Sequence, residues 1–149
     1  MGTLIKKNFI FEKEIDFNFI SNLLDRNNLN SKISSNWIEN FILESVFQIK
    51  KIENDVFFKE LYNQLNSKFN KENKQSDLDL FFSFVSGNKS ITHRDDYDVF
   101  IIGLYGKTLY KIENEEFYVE KGDLLLIKKN ELHKAIGLTP RIILSYGIY

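Results

Sequence analysis

At 149 residues, with 43% hydrophobic and 28% charged side chains, the chain has the makings of one globular domain that buries its own core. Twenty basic against 21 acidic residues leave a formal net charge of -1, which gives no general pull toward nucleic acid or an anionic membrane surface. With no cysteine, there can be no disulfide, thiolate metal site or cysteine nucleophile.

The opening stretch MGTLIKKNFIFEKEIDF lacks the sustained apolar run of a signal peptide, and no later stretch approaches a membrane span. Gly2 follows Met1, but Lys6 stands where an N-myristoylation motif requires Ser or Thr. These features predict a cytoplasmic protein. Fourteen phenylalanines and seven tyrosines against a single proline point to a β-rich interior with short turns.

Up to about residue 75, apolar residues recur mostly at helical spacing. TLIKKNFIF reads as an edge strand ahead of the first helix. In EIDFNFISNLLDRNNL, Asp16 is placed as an N-cap, and Phe17, Ile20, Leu23 and Leu24 share one face. SNWIENFILESVFQI predicts a second helix, with Asn36 and Glu39 in capping-box spacing and Trp37, Phe41 and Ile42 on a stripe. NDVFFKELYNQLNSKF predicts a third, its Phe58, Leu61, Tyr62, Leu65 and Phe69 forming an amphipathic face that packs against a sheet. NKENKQSD is a polar loop.

From residue 76 the pattern is β. LDLFFSFV, SITHRD, YDVFIIGLY, KTLYKI, FYVE, LLLIKK, HKAIG and RIILSYGIY read as short strands, separated by turns at SGN, Gly106, ENEE, KGD and LTP. Helices packed on a jelly-roll β-sandwich is the predicted architecture. It is taken as a single domain over residues 1–149, with 1–75 mainly helical and 76–149 the β core.

The chain has two histidines, and both fall where chemistry needs them. On a strand His93 and Asp95 project to the same face, with Arg94 turned away. A carboxylate buried beside an imidazole needs an arginine, a hydrogen-bond network or a metal as its partner. His133 follows a Gly122–Asp123 turn, a strand through Ile127 and a short loop, so an antiparallel jelly roll returns it to the same end. Two imidazoles and one carboxylate form the 2-His-1-carboxylate facial triad, which suits Fe(II) and leaves positions open. The acidic run Asp95, Asp96, Asp98 lacks the glycine and spacing of a calcium loop, so Asp96 and Asp98 are read as solvated or turn residues. Tyr97, Tyr105 and Tyr110 are packing residues or line the mouth of the site. There is no GxGxxG, Walker or GxSxG motif.

The stretches HRDDYDVFIIGLYGKTLYKI and GDLLLIKKNELH resemble the JmjC/cupin-type Fe(II)- and 2-oxoglutarate-dependent oxygenases. Their likeness is to the bacterial ribosomal-protein hydroxylase branch and its asparaginyl-hydroxylase relatives, over the half of the chain from Leu78 onward. The resemblance implies a double-stranded β-helix barrel and makes His93, Asp95 and His133 the iron ligands. It also implies a basic residue shortly after the Gly turn to bind the far carboxylate of 2-oxoglutarate. Thr108 stands at that position here, and Lys107 next to it should face the other side of the strand. Other 2-oxoglutarate oxygenases carry an arginine on the last barrel strand instead. Arg141 lies eight residues after His133, with Ser145 on the same face, and its planar guanidinium suits a bidentate carboxylate clamp. Arg141 is therefore assigned the cosubstrate, with Thr108 and Ser90 as hydroxyl donors. Lys128 and Lys129, where the family writes proline, fall in an exposed loop.

The implied activity is hydroxylation of a protein side chain or small metabolite by dioxygen, with Fe(II) as cofactor and 2-oxoglutarate as cosubstrate. Two other classes stay open: a metal-dependent cupin lyase, isomerase or dioxygenase that does not use 2-oxoglutarate, favoured by Thr108, and a non-catalytic cupin binding module. Neither nucleic acid nor membrane is an expected partner, and the N-terminal helices leave room for a homodimer.

Overall fold

The computed structural model describes residues 3–6, 14–26, 46–87 and 90–149. Two antiparallel sheets face each other. The larger holds six strands in the order β1-β7-β4-β9-β3-β2, and the smaller three, β6-β5-β8. In chain order the strands are β1 Thr3–Lys6, β2 Phe47–Ile49, β3 Ser76–Ser83, β4 Asp98–Tyr105, β5 Thr108–Ile112, β6 Glu115–Val119, β7 Asp123–Ile127, β8 His133–Gly137 and β9 Arg141–Ile148. Among the described residues no strand ladder joins the two sheets, so the predicted barrel is observed as an open sandwich.

Two α-helices are described, α1 (Phe17–Arg26) and α2 (Val56–Phe69), both packed on the outer face of the larger sheet, with a 3-10 turn at Ile52–Asn54 ahead of α2. Asp16 does cap α1, its carboxylate accepting from the Phe19 N–H at 2.9 Å. Asp55 caps α2 in the same way through the Phe57 N–H at 2.9 Å, and also accepts from the Arg26 guanidinium, which ties the two helices together. The stripe read from the sequence is the buried one: Phe58, Leu61 and Leu65 lie under the helix, and Phe69 stacks on Phe100 at 4.4 Å.

The predicted second helix is corrected at its C-terminal end. Phe47–Ile49 is a strand, registered against β3 with Phe47 opposite Phe82 and Ile49 opposite Leu80. Its apolar residues alternate as well as they recur at helical spacing, and pairing with β3 decides between the two periods. Asn36, Glu39, Trp37, Phe41 and Ile42 lie outside the described residues, as does the side chain of Leu24.

Central strands of the larger sheet are buried on both faces, which explains their unbroken apolar runs. Phe100 and Ile102 of β4 and Ile142, Leu144 and Tyr146 of β9 pack toward the helices. Val99, Ile101, Leu125, Ile127 and Ile143 point the other way, against Tyr110, Ile112, Val119 and Ala135 of the smaller sheet. The β6–β7 turn presses close on β4 at Gly103, where a Cβ would meet the Glu120 carbonyl oxygen at 2.0 Å.

SITHRD does not form a ladder. It lies along β8 through the Ser90 N–H to Ala135 O (2.8 Å) and a single bridge between His93 and His133. That bridge positions the site. No described helix is long and apolar enough to cross a membrane.

Candidate metal centre and the cavity beside it

His93, Asp95 and His133 converge. One ligand atom from each lies within 4.8 Å of the other two. His93 Nε2 is 3.6 Å from Asp95 Oδ1 and His133 Nε2 is 3.4 Å from Asp95 Oδ2, while the imidazole centroids are 4.3 Å apart. His133 is buried, Asp95 half-buried and His93 exposed, so the group sits at a cavity rim with one open side.

The backbone fixes which nitrogen each ring presents. His93 Nδ1 lies 2.8 Å from the carbonyl of Ile91, and His133 Nδ1 lies 2.9 Å from that of Glu131. A carbonyl only accepts, so each Nδ1 carries the proton and donates it. In the neutral ring it is then Nε2 that holds the lone pair, 3.6 Å (His93) and 3.4 Å (His133) from an Asp95 oxygen. Two imine nitrogens and a carboxylate converging with no donor between them form a set that a divalent cation completes, and the carbonyls are the kind of outer partners that orient metal-bound histidines.

The surrounding loop is braced. Asn130 N–H donates to Asp95 O at 2.7 Å, with Asn130 itself at φ 66. Arg94 turns outward as predicted and donates to Glu113 at 2.9 Å and to the Asn130 carbonyl. Glu113 also accepts from the Leu132 N–H at 2.7 Å, and chiefly for that reason its carboxyl is held below the usual glutamate range. Asp98 is an exposed residue at the start of β4, not in a turn, and accepts from the Lys129 N–H at 2.8 Å. Lys128 and Lys129 are exposed.

From the triad a cavity of about 510 Å³ runs between the sheets. Its wall on the larger sheet includes the inward face of β9, with Arg141, Ile143, Ser145 and Gly147, beside inward residues of β3, β4 and β7. Arg141 is 2% exposed, and neither its Nε nor its Nη1 has a hydrogen-bond partner among the described residues. Burial pushes its pKa below the ordinary guanidinium value, a shift that the neighbouring Tyr110 partly opposes. Tyr110 lines the same cavity, with its hydroxyl pushed well up by burial. A buried arginine with two unpartnered nitrogens is costly, and its donor fork is able to receive an anion from the cavity.

Ser90 lines the cavity and accepts from the Ala135 N–H at 2.8 Å. Thr108 is placed differently. It is 1% exposed with an unpartnered hydroxyl, it does not line the cavity, and it pairs across the smaller sheet with Gly137. Gly137 is the residue against which the Arg141 side chain packs, so Arg141 sits beside the position where a basic residue was expected. Lys107 faces the outer surface, 3.1 Å from Glu120 and above the Tyr118 ring. Among the tyrosines, Tyr97 and Tyr110 line the cavity, whereas Tyr105 packs on Phe17.

Two mouth residues, Asp77 and Asp79, escaped the sequence reading. Asp79 accepts from Gln48 Nε2 at 2.7 Å and from the Lys51 N–H at 2.8 Å, which pins β2 to the rim. Asp77 accepts from the Tyr149 hydroxyl at 2.8 Å. The alternation in SDLDLFFS was the available signal: two aspartates spaced two apart, opposite an apolar face packed on the helices.

Among solved structures, the ribosomal oxygenase YcfD from Escherichia coli in complex with cobalt and 2-oxoglutarate matches the whole chain with a TM-score of 0.72 and 19% identity, over 48% of that protein. In fold, this chain resembles a ribosomal oxygenase. The same enzyme with cobalt and succinic acid matches 99% of the chain and 48% of its own, with a TM-score of 0.70 and 19% identity. A cupin superfamily protein from Desulfitobacterium hafniense matches 70% of the chain and 77% of its own, with a TM-score of 0.52 and 13% identity. The chain spans about half the length of the oxygenase, and at these identities the likeness establishes the fold. No protein-family model matches the sequence, and no curated protein does either.

Proposed function

We propose that the protein is an Fe(II)- and 2-oxoglutarate-dependent oxygenase of the cupin type that hydroxylates a protein side chain or a small metabolite. One observation carries the reading: a His-Asp-His group with both Nε2 atoms presented to it opens into the same cavity as a buried, unpaired arginine. An oxoacid with a carboxylate at each end matches a cation at one end of the cavity and a guanidinium at the other. The structures of YcfD with cobalt and 2-oxoglutarate or succinic acid add support from fold likeness.

His93, Asp95 and His133 would hold the iron on one side, with Asp95 offsetting part of its charge. When bound, iron and 2-oxoglutarate supply the coupled oxidation in which dioxygen yields succinate, carbon dioxide and a hydroxylated substrate. The chain's own residues bind and orient. Arg141 takes the far carboxylate and Ser90 offers a hydroxyl proton from the β8 side, while Thr108, which does not line the cavity, takes no part. Val99, Ile101, Ile127 and Ile143 line the cavity with hydrocarbon, which keeps water scarce and strengthens the clamp.

The test is anaerobic reconstitution with Fe(II), then 2-oxoglutarate, then air. A visible charge-transfer band on adding 2-oxoglutarate and succinate on aeration support the oxygenase. Metal binding without any response to 2-oxoglutarate would replace it with a metal-dependent cupin of other chemistry, and failure to bind metal would leave a binding module.

A further inference from the structure

Two of the three candidate ligands are fixed by strand pairing: His93 and His133 exchange both backbone hydrogen bonds. Asp95 is not. It lies two residues beyond that pair, where the segment leaves β8, and its carbonyl accepts from the Asn130 N–H at 2.7 Å. Asn130 belongs to the loop between β7 and β8, so the place of Asp95 depends on what holds that loop.

The residue between the two ligands does so. Arg94 Nη1 donates both to Glu113 Oε1 at 2.9 Å and to the Asn130 carbonyl. Glu113 Oε1 also accepts from the Leu132 N–H at 2.7 Å, and the Glu113 N–H donates to the Leu132 carbonyl at 2.8 Å. One nitrogen and one oxygen thus tie the His93–Asp95 segment, the β5–β6 turn and the residue just before His133 into one clip.

The backbone is strained at the same place. Glu113 has φ 50 and Asn130 φ 66, two of the four non-glycine residues at positive φ among the described residues. Asparagine tolerates left-handed backbone, but glutamate does so poorly, and glycine would be the easier residue in the β5–β6 turn. The ion pair itself does not account for the choice. Its side chains are 50% and 42% exposed, and such pairs add little stability. Strain of this kind persists where the surroundings fix a geometry that function uses.

We propose that Arg94 and Glu113 are positioning residues for the metal centre, a pair that sets where Asp95 stands against the two imidazoles. The inference rests on the metal-binding part of the proposed function and is independent of 2-oxoglutarate. Neither side chain is a ligand. Both act through backbone, Arg94 by holding Asn130 against Asp95 and Glu113 by holding Arg94 against the loop that enters His133.

The experiment is anaerobic Mn(II) titration of the full chain, followed by electron paramagnetic resonance of the bound ion, on wild type, Arg94→Ala, Glu113→Ala and the double variant. Each single variant should bind Mn(II) roughly ten-fold more weakly, the lower end of the loss for an outer-shell partner. Each should also give an altered Mn(II) spectrum, with circular dichroism unchanged. Because the two residues act as one device, the double variant should bind no more weakly than either single one. Wild-type affinity and spectrum in either single variant overturn the positioning role and leave the metal centre standing. Losses that add in the double variant overturn it as well, since independent braces would give that result. No Mn(II) binding by wild type overturns the metal centre, and the inference with it. Should either alanine variant fail to fold, Arg94→Met decides, because it keeps the stem and loses the donors. Weaker Mn(II) binding with an altered spectrum supports the role, and wild-type behaviour overturns it.

Discussion

His93 and His133 are joined twice through their backbones: His93 N–H donates to His133 O at 3.0 Å and His133 N–H to His93 O at 2.9 Å. Residues that exchange both bonds are directly opposite in an antiparallel pair, with Cα atoms about 5.5 Å apart, and here the two imidazoles meet at 4.3 Å. The backbone, not the imidazoles, holds this geometry. His93→Ala and Asp95→Ala should therefore lower divalent-metal affinity by more than about a hundredfold, beyond the loss usual for an outer-shell partner, with circular dichroism unchanged. A variant that binds metal as tightly as wild type would remove that side chain from the ligand set.

Glu113 braces the loop leading into His133, and its stability contribution has a definite pH sign. The Leu132 N–H holds its folded carboxyl below the ordinary value, with Arg94 adding to the effect. The contribution is thus fully present above the unfolded glutamate value and is lost as pH falls through the lowered folded value. In thermal melts with chelator present, the Tm gap between wild type and Glu113→Gln should be widest near neutrality and close on acidification. A gap independent of pH would mean that the carboxylate charge is not what braces the loop.

Much of this could be read from residue order. The α2 stripe, the doubly buried runs of β4 and β9, and the HKAIG strand all follow from a single period that packing does not contradict. Phe47–Ile49 failed because three residues satisfy two periods, and only the partner strand chooses between them. The His93 segment failed as a strand because one bridge to β8 replaces a ladder, although the side-chain directions came out the same. Arg141 became a candidate through the resemblance, by its place eight residues after His133, but its burial was not legible, since arginine is almost never fully buried unless paired. Tyr110 stayed open between packing and the mouth of the site, because nothing in a sequence tells an aromatic side chain that fills a core from one that borders a cavity.

Leu65 tests whether fold and site separate. It is fully buried between α2 and the larger sheet, on the face opposite the cavity. Leu65→Ala should cost about 2–5 kcal/mol of unfolding free energy, the usual range for a buried leucine. Because the two clusters are divided by a sheet, metal affinity measured well below the lowered Tm should not change. A parallel loss of metal would show that the helices hold the site together.

Arg141 sets function against stability. Its Nε and Nη1 are buried without partners among the described residues, an arrangement that costs about 1–3 kcal/mol or more for a charged group. Arg141→Met keeps most of the volume and removes the charge. The ligand-free variant should unfold at higher temperature than wild type while losing the response to 2-oxoglutarate in calorimetry. Lys107→Ala, on the outer surface against Glu120, should change neither. If Arg141→Met instead lowers the Tm, the guanidinium supports the fold, and the anion site must be sought elsewhere in the cavity.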